Sequence, residues 1–134
     1  MHRYKIDCAI IFCDILIAPY ILGQKISFVK GEGPLLENLS LEELIILKPL
    51  PQKKKDLQNT YDAIKDIRKK LNKNKCLIGF CGGPWTVACY MINGKSDTKF
   101  KSAIEKISKE KALLVKLLDK IVELSVTHLY QQYI

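Results

Sequence analysis

An α/β fold built on parallel strands is predicted by two apolar runs and the helix between them. Ala9-Ile10-Ile11-Phe12 and Cys76-Leu77-Ile78-Gly79-Phe80-Cys81 are continuous rather than alternating in hydrophobicity. Unbroken runs of that length fit strands covered on both faces, as in a parallel sheet. Between them Leu57, Tyr61, Ile64, Ile67 and Leu71 recur at three- and four-residue steps, giving one apolar helix face. Strand, long connection with a helix, strand is a βαβ unit, a crossover that is right-handed in nearly all known cases.

The remaining elements follow in chain order. The first strand runs into Cys13-Asp14-Ile15-Leu16, and a loop region comes next. Gly31-Glu32-Gly33-Pro34 punctuates that loop, and Pro49-Leu50-Pro51 breaks the chain again before the helix. Asn72-Lys73-Asn74-Lys75 stops the helix ahead of the second strand. Pro84 is placed to open another helix, since proline suits the first helical position. That helix carries Tyr90 and ends near Asn93-Gly94. Phe100, Ile104 and Ile107 begin a further amphipathic stretch, which Leu114, Leu117, Leu118, Ile121 and Leu124 continue after an interruption near Lys109-Glu110.

Composition narrows the function classes. Apolar residues make up 48% and charged residues 27%, as in ordinary globular domains. The net charge of +8 comes almost wholly from lysine, with Arg3 and Arg68 the only arginines. Bidentate recognition of phosphate or guanine favours arginine, and no aromatic stripe interleaves the lysines, so a wet lysine surface is expected and not a nucleic-acid partner. The longest apolar stretches fall well short of the ~20 residues that span a bilayer, so no membrane partner is expected. Asp7 and Asp14 bracket the first apolar run, which makes a poor signal-peptide core. Cys8, Cys13, Cys76, Cys81 and Cys89 are odd in number and show no Cys-x-x-Cys pair, which points to reduced thiols and a cytoplasmic location. His2 and His128 stand far apart without evident ligand partners, so no metal site is expected.

Three places could carry chemistry. Asp14 follows the first strand at its carboxyl end, where α/β folds bind ligands. A carboxylate there can stabilise developing positive charge or move a proton, but a turn or cap aspartate has the same local pattern. Gly82-Gly83-Pro84-Trp85-Thr86 joins strand to helix and matches neither the dinucleotide fingerprint nor the P-loop, leaving a tight turn as the default. Tyr90 lies between one and two turns beyond Pro84, from where its phenol can reach back toward the strand ends or sit in the core. Glu32, between two glycines, reads as a turn residue.

Taken in order, Arg3-Tyr4 through Phe12-Cys13-Asp14-Ile15-Leu16, Gly31-Glu32-Gly33-Pro34, Leu77-Ile78-Gly79-Phe80, Gly83-Pro84-Trp85-Thr86 and Tyr90-Met91 resemble the uroporphyrinogen decarboxylase family, over nearly the whole chain. The resemblance implies a (β/α)₈ TIM barrel, of which residues 1–134 would be a single incomplete part: about two βα units with extra helices. It implies removal of carbon dioxide from the acetate arms of uroporphyrinogen to give coproporphyrinogen, with no metal or organic cofactor. Asp14 would be the catalytic carboxylate that contacts the substrate's pyrrole N–H groups, Tyr90 a substrate-binding hydroxyl, and Phe80 with its neighbouring glycines a wall of the cleft. The family is typically homodimeric. Members also carry an arginine-rich segment upstream and hydroxyl- and histidine-bearing strands downstream, so the chain is expected to be an internal portion that is inactive alone. Cys13, Leu35 and Asn93-Gly94-Lys95 stand where the family commonly has Ser, Arg and a Glu-Gly-Gly stretch. Two alternatives remain open: a non-enzymatic fragment that pairs with itself or a complementary chain, and a related corrinoid-dependent methyl transferase.

Overall fold

The computed structural model describes residues 6–31, 33–95 and 100–133. Arg3, Tyr4, Glu32 and His2, singled out above, lie outside the described residues. The first strand, β1, spans Cys8–Ile10, and helix α1 spans Ile17–Leu22. Strands β2 (Ile26–Val29) and β3 (Gly33–Leu36) follow, then α2 (Leu41–Ile46), α3 (Pro51–Asp56) and α4 (Gln58–Lys70). Strand β4 is Cys76–Ile78, and the chain continues through α5 (Pro84–Asn93), α6 (Lys101–Lys109) and α7 (Lys111–Tyr133). The fold is mixed α/β.

β1 and β4 pair in parallel, Cys8 with Cys76 and Ile10 with Ile78, and the Ile11 N–H extends the ladder to the Ile78 carbonyl. The expected strand–helix–strand order therefore holds. The expectation that both faces of these strands are covered does not. Ile10 is 62% exposed and Phe12 76%, while Ala9 and Leu77 alone of the paired central residues are half-buried. Two strands give each other only one neighbour, and among the described residues no further strand extends the pair.

The stretch read as loop is also more structured than expected. β2 and β3 form an antiparallel hairpin, pairing Ile26 with Leu36 and Phe28 with Pro34. Gly31 and Gly33, at φ of +88° and +78°, supply the left-handed conformations of its reversal. α2 opens on a reciprocal cap: the Ser40 hydroxyl accepts from the Glu43 N–H, and the Glu43 carboxylate accepts from the Ser40 N–H. Its other end is held by Lys120 of α7, whose ammonium donates to the Ile45 and Leu47 carbonyls.

The other helices begin and end where sequence chemistry places them. Tyr61 and Ile64 are buried on α4, although Ile67 on the same stripe is exposed. α4 stops at Leu71, and the Arg68 guanidinium gathers the Leu71, Asn72 and Lys75 carbonyls at 3.2, 3.1 and 3.0 Å. Pro84 is the first residue of α5, and Gly94, at φ +74°, closes it with its N–H on the Tyr90 carbonyl. The break between α6 and α7 falls at Glu110.

The core forms where α1, α2, α5 and α7 meet, around Leu22, Leu44, Met91, Ile92, Leu117 and Ile121. Gln24 is buried among them, its amide donating to the Glu37 and Met91 carbonyls at 2.9 and 3.0 Å. That one side chain ties the end of α1 to β3 and to α5. The five cysteines are free thiols, and no described helix is long and apolar enough to cross a membrane.

Candidate functional site

The carboxyl ends of β1 and β4 lead into two turns that meet. After β1 the chain turns at Asp14, whose Oδ1 accepts the Leu16 N–H at 2.8 Å, an Asx turn that launches α1. The local geometry is thus that of a turn aspartate, and it leaves the side chain exposed at the strand end. After β4 the chain turns through Gly82 and Gly83 into α5. A Cβ on Gly82 would lie 2.7 Å from Val87 Cγ2 and 2.9 Å from both Cβ and the carbonyl oxygen of Ile15. Glycine is needed there because the two turns touch backbone to backbone.

Two recesses open beside Asp14. One, of about 280 Å³, is lined by Asp14, Leu16, Ile17, Tyr20, Ile26 and Phe28. The other is nearly closed, about 10 Å³, and brings Asp14 together with Cys81, Gly82, Ser125 and His128. Phe80 stands over the same end of the sheet, its ring 5.0 Å from that of Phe12. Its two flanking peptides are both held by Gln132 of α7, which accepts from the Phe80 N–H and donates to the Phe80 carbonyl, each at 2.8 Å. Asp14 and the Phe80–Gly82 turn are therefore brought together. Tyr90 is not part of either recess. It is half-buried, edge-on to Phe100 at 5.6 Å, on the side of α5 that meets α6.

One polar pair went unread in the sequence. His128 is buried on α7, and its Nδ1 shares a 2.9 Å hydrogen bond with the Tyr61 hydroxyl of α4. Its Nε2 is buried without a partner among the described residues. Burial pushes the imidazole below its usual pKa, with the Phe80 backbone opposing in part. The two residues lie 67 positions apart, so no local spacing could announce them. Burial raises the thiols of Cys13, Cys81 and Cys89, which keeps them protonated and argues against a thiolate nucleophile. Among the described residues no group of acidic, histidine and cysteine side chains has the makings of a metal site.

The chemistry available is that of one exposed carboxylate at an opening with mostly apolar walls. Such a group accepts N–H donors and stabilises cations, and the low polarity around it strengthens both effects. Parallel strands that deliver an acidic turn and a glycine turn to one end, with helices on the connections, place the chain in the α/β class, whose members bind ligands at the carboxyl ends of their strands. Comparison with known proteins narrows that class. The model of the uroporphyrinogen decarboxylase (URO-D) family matches residues 1–134, and the chain belongs to that family. It is similar to the uroporphyrinogen decarboxylase of Campylobacter jejuni, 42% identical over 95% of this chain and 38% of the relative. Those of Rickettsia felis and Mannheimia succiniciproducens are 40% and 38% identical, each over 98% of this chain and 38% of the relative. The chain thus spans well under half the length of these curated relatives.

Proposed function

We propose that this chain supplies the Asp14-bearing part of a uroporphyrinogen decarboxylase cleft. On this reading residues 1–134 are one incomplete domain, about two βα units of a (β/α)₈ barrel, and the substrate is uroporphyrinogen. The observation that carries it is the seating of Asp14 at a strand's carboxyl end, lining one recess with the glycine turn after β4, within a chain of this family. Protonation of a pyrrole turns the ring into an electron sink for the departing carboxylate's electron pair. Asp14 receives pyrrole N–H groups and stabilises the cation, Phe80 walls the ring, and the Tyr90 hydroxyl binds a substrate carboxylate.

Anaerobic turnover of uroporphyrinogen, followed as coproporphyrinogen formed, tests the reading. The isolated chain is expected to be inactive, and to gain activity when the other strands of a family barrel are supplied as a second polypeptide. Asp14→Asn should cost that assembly roughly 10²–10³-fold in rate. Turnover by the chain alone would sink the claim of incompleteness, and an active Asp14→Asn assembly would remove Asp14 from the mechanism.

A second reading rests on the exposed Ile10, Phe12 and Ile78 beside an unpaired strand edge. Such a surface suits pairing with another copy or with a complementary chain, without catalysis. Size-exclusion chromatography with light scattering distinguishes the two. A monomer at all concentrations, indifferent to added partner strands, counts against it.

A further inference from the structure

The β2–β3 hairpin holds an aromatic side chain in an unusual position. Side chains alternate across a strand, so Ile26 and Phe28 share one face of β2, and their partners Leu36 and Pro34 share it on β3. Leu36 is buried in the core, so this is the inward face. Ile26 follows the rule and is half-buried. Phe28 is on the same face yet 72% exposed. What lies beneath it is the 280 Å³ recess that it shares with Asp14 and Ile26. A large apolar side chain on an inward face with a void below it is a wall without its contents.

The contents are defined by the recess. Its sole acidic lining residue is Asp14, and the Asp14 carboxylate spends one oxygen on the Leu16 N–H, with no ion pair or second hydrogen bond from the described residues. The other walls are aliphatic or aromatic. A ligand with an apolar ring face and N–H donors on that ring satisfies both. We infer that Phe28 is a substrate-binding residue, laid against the face of the pyrrolic ring whose N–H groups Asp14 receives. This rests on the reading of Asp14 given above and adds the hairpin to the cleft.

Phe28 is exposed, so removing it leaves folding intact and the test is clean. Binding of uroporphyrinogen is measured by anaerobic equilibrium dialysis, the bound fraction being oxidised afterwards to fluorescent uroporphyrin. Five chains are compared: wild type, Phe28→Ala, Phe28→Trp, Asp14→Asn, and Val29→Ala on the opposite face of the same strand. Phe28→Ala is expected to weaken binding about tenfold with an unchanged melting temperature, Phe28→Trp to restore it, and Val29→Ala to leave it alone. Binding lost in Asp14→Asn but unchanged in Phe28→Ala overturns this inference and leaves the Asp14 reading standing. No binding by the wild-type chain overturns this inference, whereas the Asp14 reading stands or falls on turnover by the completed assembly. If Phe28→Ala alters only the mass seen by light scattering, the side chain serves self-association and the inference fails.

Discussion

Gly82 is the residue with least freedom to change. Any side chain there must displace the Ile15 carbonyl, which is backbone and cannot swing aside as a flexible side chain would. Gly82→Ala is expected to destabilise the chain by about 1–3 kcal/mol in urea unfolding and to shift the Asp14 turn along with it. His128 sets a different sensitivity. Its unfolded imidazole titrates near 6.5 and its folded one lower. As pH falls through 6.5 the unfolded chain takes up the proton first, so the stability owed to neutral His128 is complete above that pH and is lost as the pH drops toward the folded value. The loss is at most about 1.4 kcal/mol per pH unit. Urea midpoints at pH 7.5 and 5.5 should therefore differ more for wild type than for His128→Phe, which has no proton to take up. Gly82 was legible as part of a tight turn, though not the Ile15 backbone that it meets there, and His128 was not legible, because its partner sits on another helix. Asp14 was legible as a strand-end acid, and the same carboxylate makes the turn and lines the recess.

The elements that could be read were those with many repeats of one signal. Five apolar positions at helical spacing announced α4, and the proline and glycine at its two ends announced α5. The missed elements are short. α1, α2 and α3 have six residues each, under two turns, too few for a periodicity to stand out. α2 did carry a readable start, Ser40 with Glu43 three residues on, ahead of an apolar run. The hairpin was hidden because its turn was seen as loop punctuation and its strands are only four residues long. Between elements, Gln132 does what neighbouring strands do in a sheet, offering an acceptor and a donor to the N–H and C=O of one residue. Gln132→Ala should expose the Phe80 amide to exchange with solvent and cost about 1–3 kcal/mol. Hydrogen exchange by NMR reads the first effect, and unchanged protection at Phe80 would show that α7 is not what holds this turn.

At the scale of the whole chain, burial is uneven. The helices α1, α2, α5 and α7 enclose a continuous core, while the strand pair keeps Ile10, Phe12 and Ile78 in contact with solvent. The sequence overestimated the cover on these strands because an unbroken apolar run reports what a strand is built to face, not what is present to face it. Such a surface favours self-association, and Ile10→Lys is expected to reduce the concentration-dependent mass in light scattering while the helical circular dichroism is retained. An oligomer unaffected by that change would place its interface elsewhere.

The three carbonyls gathered by Arg68 all come from the seven residues that follow it. Closing that cluster requires only a short loop, whereas seating Cys8 beside Cys76 requires the ends of the whole crossover to find each other. The order of folding events follows from this difference. The reversal after α4 is expected to take shape first and to present β4 already aimed, leaving β1 one strand to find rather than a chain to search. A lysine, with a single point of charge and no planar fork, could not hold three acceptors in that arrangement. Arg68→Lys should accordingly slow refolding more than it speeds unfolding.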